Sequence, residues 1–294
     1  MSGPRDAASR AGSLAPGLYL VATPIGHAQD ITLRALEVLR HADALLAEDT
    51  RQTRKLLEIH GISLAGRPML SYHDRNGAAR RPQIEAWLAE GKSVTYCSDA
   101  GTPLLADPGF RLAELALAGE YGLVAVPGAS ALLTALAVSA LPSDRFMFAG
   151  FLPAKGAARR KALAELAAVP GTLIFYESPR RLSASLRDME TVLGGTRRAA
   201  VCRELTKKFE ETRRDSLGAL ADAYDAEDPP RGEIVVLIGP PDPEAAQVEE
   251  ADLDHALAEA LQTLSIKDAA REISTRLNLP RRDVYARALA LSGK

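Results

Sequence analysis

The segment Gly91–Arg111, GKSVTYCSDAGTPLLADPGFR, constrains the fold of this chain more than any other stretch. Ser93–Cys97 is an apolar run with β-branched and aromatic members, and it predicts a short buried strand. It breaks at once into Ser98-Asp99-Ala100-Gly101-Thr102-Pro103 and, after Leu104–Ala106, into Asp107-Pro108-Gly109. Gly101 lets backbone approach a ligand closely, and the prolines stiffen the loop around it. A helix is expected from about Phe110 to Ala118. In an open α/β sheet, loops at the carboxyl ends of strands are where ligands bind. A plain strand–turn–helix connection would not need this density of Gly, Pro and Asp.

The rest of the chain repeats the pattern. Gly17–Ala22, Ala44–Ala47, Met69–Tyr72 and Val124–Val126 predict strands, separated by helical stretches at Leu33–His41, Gln52–His60 and Ala79–Glu90. Strands alternating with helices at this spacing predict a mostly parallel sheet. After Pro127-Gly128-Ala129-Ser130 and a small-residue helix at Ala131–Ser139, a second sheet is expected from Phe146–Gly150, Thr172–Tyr176, Ala199–Cys202 and Ile234–Ile238. Pro240-Pro241-Asp242-Pro243-Glu244 reads as a linker. Three short amphipathic helices follow, at Leu253–Leu264, Lys267–Leu277 and Arg282–Leu291. The expected organisation is a disordered tail (residues 1–15), two α/β domains (16–127 and 128–240), and a linker with a small helical domain (241–294).

Composition narrows the function classes. The chain has 294 residues and a net charge of −2, so no global field draws it to nucleic acid or membrane. Any RNA contact must come from local basic patches. Cys97 and Cys202 sit in apolar strands and read as reduced core thiols. Five scattered histidines offer no metal-ligand cluster. The polar N-terminal residues lack the apolar segment of a signal peptide, and Ala129–Leu141 is too short to span a bilayer. A cytoplasmic protein without a membrane or metal partner is expected.

There is no G-x-G-x-x-G after a strand, no Walker A sequence, no H-E-x-x-H and no G-x-S-x-G. What remains is a set of polar loops at strand ends: TPIG, EDTR, SYHDRN, SDAGTP, PGAS, YESPRR and ELTKK. Together they describe one cleft between two α/β halves. TPIG, EDTRQTRKLL, SDAGTPLLADPG, VPGASALLTAL, FYESPRR, CRELTKKFEE and RGEIVVLIG occur in this order. In this order they resemble the tetrapyrrole methylase superfamily of AdoMet-dependent enzymes. Within it they resemble the branch that 2′-O-methylates a cytidine in the decoding region of 16S ribosomal RNA. The resemblance covers about Gly17–Gly239, and the C-terminal helices also match that branch. The chain departs from the pattern at His27, where the family usually has Asn. It also departs at Arg75, at Arg180 or Arg181, and at Phe209, where histidine is frequent.

The resemblance implies two α/β domains with S-adenosyl-L-methionine in the cleft between them, usually in a homodimer, and 16S rRNA within the small ribosomal subunit as partner. By position, Pro24, Asp99, Ala100, Gly101, Thr102 and Leu105 should line the methionine and ribose portion. Ser130 and Ala131 should close on the sulfonium side, and Tyr176, Leu205, Glu233 and Ile234 should frame the adenine. A small-molecule methyltransferase of the same superfamily, acting for instance on a tetrapyrrole, and a non-catalytic RNA-binding assembly factor are the competing readings.

Methyl transfer to a ribose hydroxyl is an in-line displacement, helped by positioning and by a general base. Asp49, His73 and Glu177 are the candidate bases, with Arg51 and Lys207 to hold the adjoining phosphate. Each has a structural alternative: Asp49 as a helix cap, His73 as a surface loop residue, Glu177 as a partner of Arg180 or Arg181. Lys155, Arg159, Arg160, Arg180, Arg181 and Lys208 are the candidate RNA contacts. Lys161 and the pair Arg213/Arg214 extend the basic set. Such groups supply affinity and little sequence choice.

Overall fold

The computed structural model describes residues 13–104, 109–241, 253–277 and 281–292. The predicted site residue Leu105, most of the expected tail and much of the proline-rich linker lie outside the described residues. Five parallel strands make the first sheet: β1 (Gly17–Val21), β2 (Ala44–Ala47), β3 (Met69–Ser71), β4 (Ser93–Cys97) and β5 (Leu123–Val126), in the order β3-β2-β4-β1-β5. β1, β2 and β4 are buried along their whole length, which is why they read as continuous apolar runs. Helices α1 (Leu33–His41), α2 (Thr50–Ile59), α3 (Gly77–Ala89) and α4 (Phe110–Ala118) connect them. Because β4 inserts between β1 and β2, the loops TPIG, SDAGTP and EDTR leave the sheet side by side.

Helix α5 (Ala131–Ser139) leads to a second sheet of β6 (Phe146–Phe151), β7 (Thr172–Glu177), β8 (Arg198–Arg203), β9 (Glu211–Ser216) and β10 (Ile234–Ile238), ordered β6-β7-β10-β8-β9. Only β6 and β7 are parallel; the other pairs are antiparallel. α5 covers one face, where Leu132 and Leu136 pack with Ile174, Cys202, Leu205 and Ile25 of the TPIG loop. Helices α6 (Gly156–Leu166), α7 (Leu182–Leu193) and α8 (Leu217–Ala226) cover the other, over a core of Leu173, Phe175, Leu186 and Val236. β9 was not expected, because ETRRDS has no apolar alternation. It forms as the outer arm of a hairpin with β8, and its charged side chains suit an edge strand.

The C-terminal helices α9 (residues 253–261), α10 (Ile266–Arg276) and α11 (Arg281–Leu291) enclose a small core of their own, with Leu257, Ile273 and Val284 fully buried. No helix among the described residues is long and apolar enough to cross a membrane.

Candidate active site

The site begins where β1 ends. Thr23 and Gly101 form an isolated bridge, each N–H donating to the other's carbonyl at 3.0 Å. The Thr23 hydroxyl donates to Ser98 O (3.0 Å), Ser98 Oγ to Gly101 O (2.8 Å) and Thr102 Oγ1 to Ala129 O (3.0 Å). Three loops that are distant in sequence are thus stitched into one wall. Gly101 has φ +77°, the left-handed region, and a Cβ there would stand 3.2 Å from Ile25 Cγ2.

These loops face the second sheet across a cavity of about 420 Å³, within the ~300–1,000 Å³ usual for small-molecule sites. Ala100, Gly101 and Thr102 line one side of it, and Ser130 and Ala131 at the start of α5 line another. Tyr176, Leu205, Glu233 and Ile234 come from the second sheet and its loops. Nine of the twelve expected cofactor residues therefore meet in one cavity. Pro24 and Asp99 do not line it. Ile25 takes the place of Pro24 in the wall, and the Asp99 carboxylate is engaged by the EDTR loop. The Asp49 N–H donates to Asp99 Oδ1 (2.7 Å) and Gln52 Nε2 to Oδ2 (3.4 Å), while burial pushes the Asp99 carboxyl pKa up. Asp99 braces β4 against β2 in this structure.

The acceptor-side candidates are more dispersed. Glu177 lines the cavity and is buried. It accepts from Ser185 Oγ (2.5 Å) and the Ser178 N–H (2.7 Å), and Arg181 stands 3.3 Å away. Asp49 caps α2 by accepting from the Arg51 N–H (2.8 Å), and its other oxygen meets Arg51 Nη2 at 2.9 Å. Arg51 holds that carboxyl below its ordinary range, which makes Asp49 a weak base. The Arg51 side chain is itself 89% exposed. His73 is half-buried in its loop, with its backbone N–H held by Asn76 Oδ1. Lys207 Nζ lies 2.9 Å from both Glu204 and Glu233. Burial would lower its pKa, but the two carboxylates outweigh that and raise it, so the ammonium stays charged.

Two of the expected RNA contacts are corrected by the fold. Arg159 is 6% exposed, and its guanidinium is taken up by Asp188 and the carbonyls of Ala154 and Ala184. Arg181 is committed to Glu177 and to Leu152 O. Arg160 is exposed but pairs with Asp188 (2.8 Å). Lys155, Arg180 and Lys208 are exposed, Lys208 above the Phe209 ring. Arg213 pairs with Glu211 and Glu227, and Arg214 Nε donates to Val138 O. Ile25, Phe151, Ser178, Pro179, Cys202, Gly232 and Val235 also line the cavity, although none is among the site residues expected from the sequence. Ile25 belongs to a motif already marked. Cys202 reads as core, and nothing in the local pattern around Phe151 points to a site.

Residues 17–221 match the model of the Tetrapyrrole (Corrin/Porphyrin) Methylases, and residues 247–292 match the RsmI C-terminal HTH domain. A curated relative from Mesorhizobium japonicum, ribosomal RNA small subunit methyltransferase I, is 50% identical over 95% of this chain and 93% of its own. The relatives of the same name from Erythrobacter litoralis and Pseudomonas aeruginosa are 48% and 43% identical, covering 95% and 94% of this chain and 96% and 98% of theirs. The chain belongs to the ribosomal RNA small subunit methyltransferase I family of tetrapyrrole methylases. It is an AdoMet-dependent methyltransferase. Solved structures of the fold include cobalt precorrin-4 methyltransferase, with TM-score 0.58 and 18% identity over 76% of this chain and 94% of that one. Uroporphyrin-III C-methyltransferase from Thermus thermophilus, complexed with S-adenosyl homocysteine, gives TM-score 0.53 and 19% identity over 76% and 97%.

The methyltransferase has a cavity that fits its cofactor on its own geometry. Ser130 lines it, and its buried Oγ has no hydrogen-bond partner among the described residues, an unmet demand that a polar ligand would satisfy. Leu205 and Ile234 supply buried apolar surface for a flat ring, and Gly101 leaves its wall open to close backbone approach. No group of three or more His, Cys, Asp or Glu among the described residues could hold a metal.

Proposed function

We propose that this enzyme methylates the 2′-hydroxyl of a cytidine in the decoding region of 16S rRNA. It works in the cytoplasm, as a homodimer, on RNA within the small ribosomal subunit. The cleft lies between α/β domains of residues 16–127 and 128–240. The observation that carries the RNA reading is that similarity to relatives named for small-subunit rRNA extends over both the catalytic fold and the C-terminal helical domain. A tetrapyrrole acceptor would leave that C-terminal domain without a use.

Bound AdoMet supplies an electrophilic methyl group on sulfonium. The chain's residues bind and orient. Gly101 would let the donor's polar part approach its wall closely, and Ser130 Oγ would offer it a hydrogen bond. The aligned pair gains from effective molarities of about 10⁵ M and above. Glu177, buried at the cavity wall, is the carboxylate that can take the hydroxyl proton at Oε. Asp49 caps α2 and is not among the residues lining the cavity, so it holds the EDTR loop rather than the proton.

Chelator-treated protein with labelled AdoMet should methylate 16S rRNA or 30S particles, with the label at one cytidine ribose. Transfer only to a tetrapyrrole would overturn the reading. On the same assay, Arg51→Ala should weaken RNA binding and lower the slope of log affinity against log salt by about one unit, with AdoMet affinity unchanged. An unaltered slope would reduce Arg51 to a partner of Asp49.

A further inference from the structure

Strand β6 carries an irregularity at the mouth of the cavity. It pairs with β7 in the register Phe146↔Thr172, Met147↔Leu173 and Phe148↔Ile174, then shifts to Phe151↔Tyr176. Ala149 and Gly150 together stand opposite Phe175, so β6 contains one extra residue. Side chains alternate across a regular strand, and residues 148 and 151 would then point to opposite faces. The bulge cancels that alternation and puts both rings on one face. Gly150 makes it possible with φ +64°, in a place where no atom lies within 4 Å of a Cβ. Both rings meet Tyr176 edge-on, with centroids 4.8 Å and 5.6 Å away.

The two phenylalanines differ in what covers them. Phe148 packs against the cluster that includes Ile174 and Cys202, whereas Phe151 lines the cavity and is still 58% exposed. The apolar wall for the cofactor's ring is already enclosed by Leu205 and Ile234. A ring redirected by a bulge onto an open rim has its face available to a second ligand. Four residues on, Lys155 is exposed at the N-cap of α6. Aromatic rings interleaved with cations are how proteins hold unpaired nucleotides, stacking the base and tracking the backbone. An acceptor inside a helical stem would have to be unstacked to reach this cavity.

We propose that Phe151 is the platform on which the acceptor nucleobase stacks, positioning its ribose at the cavity. This rests on the RNA substrate proposed above. Phe151→Ala, Phe151→Leu and Phe151→Tyr should be compared with the parent enzyme for AdoMet affinity by calorimetry and for kcat and KM on 30S particles. Loss of one base–aromatic stack should raise KM or lower kcat/KM by roughly 5- to 150-fold in the Ala and Leu variants. Tyr should restore activity to within a few-fold, and AdoMet affinity should stay within two-fold throughout. Full activity of Phe151→Leu would overturn the proposal, since bulk without a π-face would suffice. A parallel loss of AdoMet affinity would overturn it too, by assigning the ring to the cofactor. A parent enzyme that transfers nothing to rRNA would sink the substrate reading first. An active parent with indifferent variants sinks only the platform.

Discussion

Gly101→Val is expected to weaken AdoMet binding by up to about 30-fold, because holding the loop in its cofactor-binding shape then costs the ~2 kcal/mol of an L side chain in the left-handed region. The glycine sits at φ +77°, where a β-branched residue is a genuine outlier. Its would-be Cβ meets Ile25 Cγ2 at 3.2 Å, so the γ-methyls would press into a residue that also lines the cavity. Relief by moving the loop would break the Thr23–Gly101 bridge and the Ser98 bond to Gly101 O, which together fix the wall. Gly91→Val is the matched control: the same φ of +77° but nothing within 4 Å of a Cβ. Calorimetry should find AdoMet affinity reduced in the first variant and normal in the second, with both melting below the parent. Equal AdoMet affinities would show that Gly101 does not shape the cofactor wall.

The parts legible in the sequence were those that local chemistry specifies. β1, β2, β4 and β10 are buried end to end, and their apolar runs end in Gly- and Asp-bearing loops that mark strand ends without ambiguity. The C-terminal helices were legible for a similar reason, since Ser265 and the Leu277-Asn278-Leu279-Pro280 stretch punctuate their amphipathic pattern. The strand orders were not legible, because they depend on which faces pair across long connections. β9 stayed hidden behind ETRRDS, where an edge position rewards charge over apolar alternation. Among site residues, backbone-dominated ones such as Gly101 and Thr102 followed from their motif. Side chains with several possible partners did not. Asp99, expected at the cofactor, is occupied by the Asp49 N–H fifty residues away. Phe151 faces the cavity only through a bulge whose signal is a single glycine.

Arg159 shows the same limit, and it carries the second large effect. An RNA contact was expected of it from the basic run Arg159-Arg160-Lys161, but its partner Asp188 lies 29 positions later on α7. Arg159 Nε donates to Asp188 Oδ2 at 2.7 Å and Arg160 Nη1 to Oδ1 at 2.8 Å, with Arg159 and Asp188 both buried. Removing one member of a buried pair leaves the other charge uncompensated, at a cost of about 3–5 kcal/mol. Asp188→Asn is therefore expected to lower stability by about 3 kcal/mol at pH 7. Burial alone would raise the Asp188 carboxyl pKa, but the two guanidiniums outweigh it and hold the value below the ordinary 3.8. The unfolded chain then binds the proton more readily than the folded one between those two values. The contribution of the charge is complete above about pH 4 and is lost as pH falls through the depressed folded pKa. Denaturant titrations should find the gap between parent and Asp188→Asn constant from pH 7 to pH 5 and shrinking below. Because α6 and α7 cover the face of the second sheet opposite α5, AdoMet affinity should not change. A gap that persists undiminished at pH 3 would assign the loss to packing rather than charge. A double variant, Arg159→Met with Asp188→Leu, should then recover most of the stability, since apolar replacement of a whole buried pair is often neutral.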